Sequence, residues 1–201
     1  METKIVKCRE CDCEKIVNVH LKVFNGFFLT LLGKQFLRSY YKAVIAHSLG
    51  IVYCAVDEDN NFVGFAVGTK SANGFHKKLM KRNFCAFLLQ GVCILFKNPY
   101  FIFRLIKNLD KKSDYSDDGM YAELLSIGVL PSYAGEGIGK LLINAFEGAI
   151  RKNGIERVSL TTDYYNNISV IEFYKKRGYE IFYDFYAFPQ RRMYRLIKRL
   201  N

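Results

Sequence analysis

The sequence predicts one α/β domain, and three stretches carry that prediction. Leu124-Leu125-Ser126-Ile127-Gly128-Val129-Leu130 is an apolar run stopped by Pro131, which reads as a buried strand. A loop with glycines at 135, 137 and 139 follows it, and then apolar residues at helical spacing as far as Ile150. Ile51 to Val56 and Phe62 to Thr69 are β-rich runs around the turn formers Asp57-Glu58-Asp59-Asn60-Asn61, the pattern of an antiparallel hairpin. Arg157 to Thr161 gives one more buried strand. Its position after the helix makes it a parallel partner of the strand that precedes the loop.

The other elements follow in chain order. Thr3 to Lys7 reads as a short strand, and Asp12 to Phe24 as a helix with Ile16, Val19 and Val23 on one side. A second helix spans about Gly33 to His47, after an apolar segment, residues 24 to 33, broken by Gly26 and Gly33. Residues 120 to 130 form the central strand. In helix 139 to 152, Leu142, Phe146 and Ile150 make one stripe, which Asn153-Gly154 ends. Asn166 or Asn167 opens the last helix, closed by Lys175, Lys176 and Arg177 before Gly178. Capping and the helix dipole account for those polar residues by themselves. Tyr179 to Phe188 and Met193 to Leu200 complete the sheet as a hairpin around Pro189-Gln190-Arg191-Arg192.

Composition narrows the functional classes. A chain of 201 residues with half of them apolar builds a core without staples. Met1-Glu2-Thr3-Lys4 lacks the apolar stretch of a signal peptide, so a cytoplasmic location is expected and the six cysteines are expected to be reduced thiols. Cys8, Cys11 and Cys13 form a C-x-x-C-x-C cluster, yet His20 and His47 supply no second ligand pair at zinc spacing. No metal is expected. The net charge of +11 suits polyanionic partners, whether coenzyme A, a nucleotide-linked substrate, nucleic acid or an anionic membrane. The basic residues are scattered without a recognition motif, which sets nucleic acid aside.

The glycine loop is read as a phosphate cradle, because glycines admit close backbone approach and a helix start presents free amides to an anion. A P-loop is excluded: Ala134 stands where its first glycine belongs and Leu141 where its hydroxyl belongs. The G-x-G-x-G spacing, lying beyond residue 130, also differs from the dinucleotide fingerprint. The loop resembles motif A of the GNAT superfamily of acyltransferases, R/Q-x-x-G-x-G/A, with Ala134 in place of the usual Arg or Gln. Asn167-Ile168-Ser169-Val170-Ile171-Glu172-Phe173-Tyr174-Lys175-Lys176-Arg177-Gly178-Tyr179 resembles that superfamily's second signature, N-x-x-A-x-x-[LF]-Y-x-[KR]-x-G-[FY], with Val170 for alanine. The resemblance covers residues 1 to 72 and 119 to 199.

The resemblance implies a central, mostly antiparallel sheet of six to seven strands, splayed at one parallel pair and covered by helices on both faces. It implies an N-acetyltransferase that moves the acetyl group of acetyl-CoA to a small-molecule amine. The cofactor site would comprise Ala134, Gly135, Glu136, Gly137, Ile138, Gly139 and Lys140 at the pyrophosphate, Ile127 and Val129 along the pantetheine arm, Asn167 and Tyr174. Tyr174 matches the tyrosine that protonates the coenzyme A thiolate, or is a packing aromatic. Glu123 matches a carboxylate that draws the proton from the amine, or is a surface acid, with Asp163 as its reserve.

Ser71 to Asp118 fits no element of that family and reads as a helical insertion between the third and fourth strands. It holds thirteen residues, Phe84 to Phe96, in which only Gln90 is clearly polar, and then an aromatic run from Tyr100 to Leu109. Thirteen residues fall short of the roughly twenty needed to cross a bilayer, so two helices around Pro99 are expected. His76, Lys77, Lys78, Lys81 and Arg82 flank them on one side and Lys111 and Lys112 on the other. Three uses fit such a face: a cover over the acceptor site, a homodimer interface, or contact with an anionic membrane surface. An apolar, cationic cover suits a bulky anionic acceptor, such as a nucleotide- or lipid-linked amino sugar of surface polysaccharide synthesis. The contrasting expectation is a non-catalytic module of the same fold that binds a membrane or a protein.

Overall fold

The computed structural model describes residues 3 to 109 and 117 to 200, except the side chains of Cys93, Lys97 and Leu109. The expected Lys111 and Lys112 margin lies outside the described residues. The chain runs β1 (Lys4–Lys7), α1 (Cys13–Val23), α2 (Phe28–Leu31), α3 (Lys34–Ala46), β2 (Gly50–Val56), β3 (Phe62–Thr69), α4 (Phe75–Arg82), α5 (Phe84–Lys97) and α6 (Pro99–Leu109). It continues as β4 (Ala122–Val129), α7 (Ile138–Lys152), β5 (Arg157–Asp163), α8 (Ile168–Lys175), β6 (Glu180–Ala187) and β7 (Arg191–Arg199).

The strands form one seven-stranded sheet in the order β1-β2-β3-β4-β5-β7-β6. Every pairing is antiparallel except β4 with β5, so the mixed, mostly antiparallel sheet with one parallel pair is the fold that was expected. Strand alternation builds a core on each face. Val52 and Cys54 of β2 and Phe65 and Val67 of β3 pack with α1 and α3. Ile51 and Ala55 of β2 and Ala66 of β3 pack instead with Leu142, Phe146 and Ile150 of α7.

The parallel pair positions the site. β4 and β5 are in register only at Ala122↔Val158, Glu123↔Ser159 and Leu124↔Leu160, although β4 runs on to Val129 and β5 to Asp163. Beyond Leu124 the two strands part. On its other edge β4 bulges against β3, where the register jumps from Val67↔Ser126 to Gly68↔Leu124. A bulge of this kind bends a strand and re-aims its side chains.

The two helices expected around Pro99 are α5 and α6, and among the described residues α4 precedes them, anchored in the core by Phe75 and Leu79. Pro99 opens α6, where its missing N–H costs nothing. Reduced thiols were expected throughout, but Cys8 and Cys54 are joined in a disulfide. The sheet itself brings them together: Val6 pairs with Cys54, and the Cys8 amide just beyond β1 donates to the Val52 carbonyl. Their Cα atoms lie 6.1 Å apart, within disulfide reach. The C-x-x-C-x-C cluster is thereby divided, with Cys11 exposed and Cys13 buried in α1.

Candidate active site

The gap between β4 and β5 opens into a cavity of about 780 Å³. Glu123, Ile127, Asp163, Asn167 and Tyr174 all line it. Thus the two halves of the sequence signature meet: β4 supplies the first two residues, and the end of β5 with α8 supplies the others. Val129 and residues 134 to 140 stand further on, at the end of β4 and in the loop that leads into α7.

That loop is shaped by glycine. Gly135 and Gly137 have φ of +86° and +78°, left-handed values that most side chains avoid. A Cβ at either would meet nothing within 4 Å, so the space before these amides is open. The first amides of α7 have no acceptor inside their own helix, and Gly137 sits at its N-cap. Amides at a helix start with clear space before them fit a pyrophosphate. The loop is also tied down from behind. The Tyr133 hydroxyl donates to Asp57 Oδ2 at 2.9 Å, while the amides of Asp59 and Asn61 donate to Asp57 Oδ1.

On the opposite side, the Asn167 amide makes no capping bond to α8. Its Nδ2 donates to Thr162 Oγ1 at 2.6 Å and to the Asp163 carbonyl at 3.1 Å. The simple cap considered from the sequence is therefore replaced by a brace that holds the end of β5 against α8. Tyr174 is 6% exposed and packs edge-on against Phe173 and Tyr179. Burial pushes its phenol above the ordinary value, with only partial opposition from Arg177. It is protonated at any physiological pH.

Both candidate carboxylates carry an arginine. Arg195 Nη1 donates to Glu123 Oε1 and to Ser159 Oγ, each at 3.0 Å. Arg191 grips Asp163 with two bonds of 2.5 and 2.6 Å. Behind Arg195 lies Asp117, which accepts bonds from the Tyr121 and Tyr183 hydroxyls. Burial works against the Asp117 charge, but these hydroxyls, the Gly119 amide and Arg195 outweigh it and hold the carboxyl below its usual range. The arginines were not read from the sequence as site residues. They come from β7, which enters the sheet beside β5 only after a long detour through α8 and β6, and no local motif marks them.

Most of the remaining cavity wall is apolar, with His76, Arg104 and Asn108 among its polar members. Phe24 and Phe28, Phe87 and Leu88 of α5, Leu105 of α6 and Phe188 face it from five separate parts of the chain. His20 lines it as well, 2% exposed, with its Nδ1 2.6 Å from the Tyr41 hydroxyl. Burial lowers the His20 pKa from 6.5 to about 4. In the unfolded chain the imidazole takes its proton near pH 6.5, whereas the folded protein resists until about pH 4, so stability falls as the pH drops through that window. The loss expected is on the order of 3 kcal/mol. Urea unfolding of His20→Phe across the same range should show a flatter pH profile, and an unchanged acid sensitivity would contradict this origin.

A sheet splayed at one parallel pair, with an open glycine loop leading from its central strand into a helix start, has the form of a site for a phosphorylated carrier. The chain belongs to the acetyltransferase (GNAT) family, whose model matches residues 13–179. It thus has the fold and acetyl-CoA-dependent N-acetyltransferase activity of that family. A search of curated proteins returns no significant match. Among solved structures, the ribosomal-protein-S18-alanine N-acetyltransferase from Escherichia coli aligns over 100% of this chain and 95% of its own, with a TM-score of 0.63 at 10% identity. PaiA N-acetyltransferase from Thermoplasma acidophilum, in complex with coenzyme A, aligns over 99% of both chains at a TM-score of 0.58 and 16% identity. Naa20 from Chaetomium thermophilum, bound to a bisubstrate analogue, aligns over 98% of this chain and 86% of its own at 0.58 and 17%. At such identities these likenesses establish the fold alone.

Proposed function

We propose that the protein acetylates the primary amine of an acceptor whose remaining bulk is apolar, a lipid-linked amino sugar of cell-surface polysaccharide synthesis being the form that fits. The observation that carries this reading is the cavity: it begins at Tyr174 and Glu123 and is walled beyond them mainly by aromatic and aliphatic side chains. A nucleotide-linked sugar has the same amine, and Arg104 at the wall can meet the phosphate of either acceptor, but its polar nucleoside would lose hydration against the aliphatic and aromatic side chains that a hydrocarbon chain covers. Acetyl-CoA supply puts the reaction on the cytoplasmic side.

In this reading the amides of Gly135 to Gly139, with Ala134, Glu136 and Lys140 beside them, hold the pyrophosphate. Backbone groups of Ile127 and Val129 hold the pantetheine arm in the β4–β5 gap, and Asn167 keeps that gap open. A β4 amide in the gap donates to the thioester oxygen as charge develops there. Glu123 receives the ammonium proton, directly or through water, so that the amine nitrogen can attack the thioester carbonyl. Arg195, whose Nη1 donates to Glu123 Oε1 at 3.0 Å, holds that carboxylate in position. As the carbon–sulfur bond breaks, Tyr174 donates to the departing thiolate. Because its pKa is raised, Tyr174 stabilises the thiolate through a hydrogen bond, and complete proton transfer is left to solvent.

The acceptor is tested by thiol-release kinetics with four amines: a lipid-linked amino sugar in detergent, the corresponding nucleotide sugar, spermidine and a lysine peptide. The lipid-linked sugar should have the highest kcat/KM. Equal values for the first two, or preference for the polyamine, would contradict the apolar-acceptor assignment.

A further inference from the structure

α5 is apolar on every side, a property of helices that sit inside protein or lipid. One side is inside protein: Phe87 and Ile94 are buried, and Phe87 packs on Phe36 of α3 with ring centroids 5.9 Å apart. The other side faces outward. Leu89 is 64% and Phe96 87% exposed, and on the neighbouring α6 Tyr100 and Phe103 are 44% and 48% exposed. Phe84, Leu88, Val92, Leu95 and Ile106 are exposed too, and each also lines the cavity. The apolar surface and the apolar cavity are therefore continuous through these five side chains.

Charge selects what covers this face. Residues 75 to 109 contain seven lysines and arginines and no aspartate or glutamate. Lys77, Lys78, Lys81 and Arg82 on α4 and Lys107 on α6 are exposed around the apolar patch. In a two-fold dimer the same patch meets itself, so a second copy would bring these five exposed cations against five, with no acid in residues 75 to 109 to offset them. An anionic lipid surface supplies the opposite charge and the apolar medium together. The geometry fits a surface position. α5 has 14 residues, about 21 Å of helix against a hydrocarbon core of about 30 Å. No single helix among the described residues is long and apolar enough to cross a membrane, and α4 and α5 meet at 87°.

We propose that α4, α5 and α6 form a docking face for an anionic membrane, with the mouth of the cavity opening into the lipid. The hydrocarbon part of the acceptor then passes from bilayer to cavity without crossing water, while its amine reaches Glu123 and Tyr174. The docking stands on the exposed face and its charge; only the delivery of substrate rests on the function proposed above.

Flotation of the full chain with vesicles of phosphatidylcholine alone, and of phosphatidylcholine mixed with phosphatidylglycerol, tests the docking without any acetyl-CoA. Binding should require the anionic lipid and weaken with salt. Replacing Lys77, Lys78, Lys81 and Arg82 by serine removes four charges, each contributing roughly fivefold near an anionic surface, and should weaken binding about 10²- to 10³-fold. Leu89→Asp with Phe96→Asp changes only outward residues and should abolish it in a protein with unaltered circular dichroism. Absence of binding to anionic vesicles would overturn the proposal, as would a dimer in light scattering that these two substitutions dissolve. Thiol release with a water-soluble amine is read separately. Failure there with intact flotation counts against the acetyl-transfer reading, and the converse counts against the docking.

Discussion

Gly137→Val is expected to lower the affinity for acetyl-CoA by 10²-fold or more while the domain stays folded. Gly137 lies at φ +78° at the start of α7, and its missing side chain would point into open space. A Cβ there meets no protein atom within 4 Å, so the expected folding cost is that of the left-handed backbone, at least about 1–2 kcal/mol for a β-branched residue. What it does displace is an anion approaching the adjacent amides. Hydrogen bonds to a charged group contribute roughly 1.5–3 kcal/mol each, and the loss of two reaches the stated factor. Gly148→Ala is the matched control: it lies in the interior of the same helix, where its Cβ also meets nothing within 4 Å, and should leave affinity unchanged while raising stability slightly. Calorimetry on both variants decides the matter, and wild-type affinity in folded Gly137→Val would refute the cradle.

Tyr174→Phe is expected to lower kcat between 10²- and 10³-fold, the usual share of one hydrogen-bond donor aimed at developing charge. The ring stays, and with it the packing against Phe173 and Tyr179, so both thermal stability and coenzyme affinity should hold near wild type. Burial keeps the phenol protonated, so the wild-type rate should show no alkaline fall assignable to this residue within the stable pH range. A loss of activity below about threefold would return Tyr174 to the role of a packing aromatic.

Much of this architecture could be read from local sequence. The strand, glycine loop and helix around residues 124 to 150 declare themselves through apolar spacing and one proline, and the structure has all three elements in place. The 57–61 turn gives the β2–β3 hairpin for the same reason. Long-range order was less legible. β6 reads as the more apolar strand of the last hairpin, yet it lies at the sheet edge with Ile181 and Tyr186 exposed, while the cationic β7 is the inner strand. That inversion is what carries Arg191 and Arg195 to the carboxylates of the cavity, and no pattern within β7 announces it. The Cys8–Cys54 pair likewise depends on the β1–β2 register rather than on cysteine spacing. The insertion was legible as apolar helices with a basic margin, but Phe75 and Leu79 show that it is built into the core as well as laid over it.

The most direct test of the whole account is a crystal structure of the protein with acetyl-CoA. The pyrophosphate should rest on the amides of residues 135 to 139, the pantetheine should run along β4 past Val129 and Ile127, and the thioester sulfur should lie within hydrogen-bond reach of the Tyr174 hydroxyl, with the apolar cavity open beyond it. A coenzyme bound away from the glycine loop, or a thioester that points out of the β4–β5 gap, would contradict it.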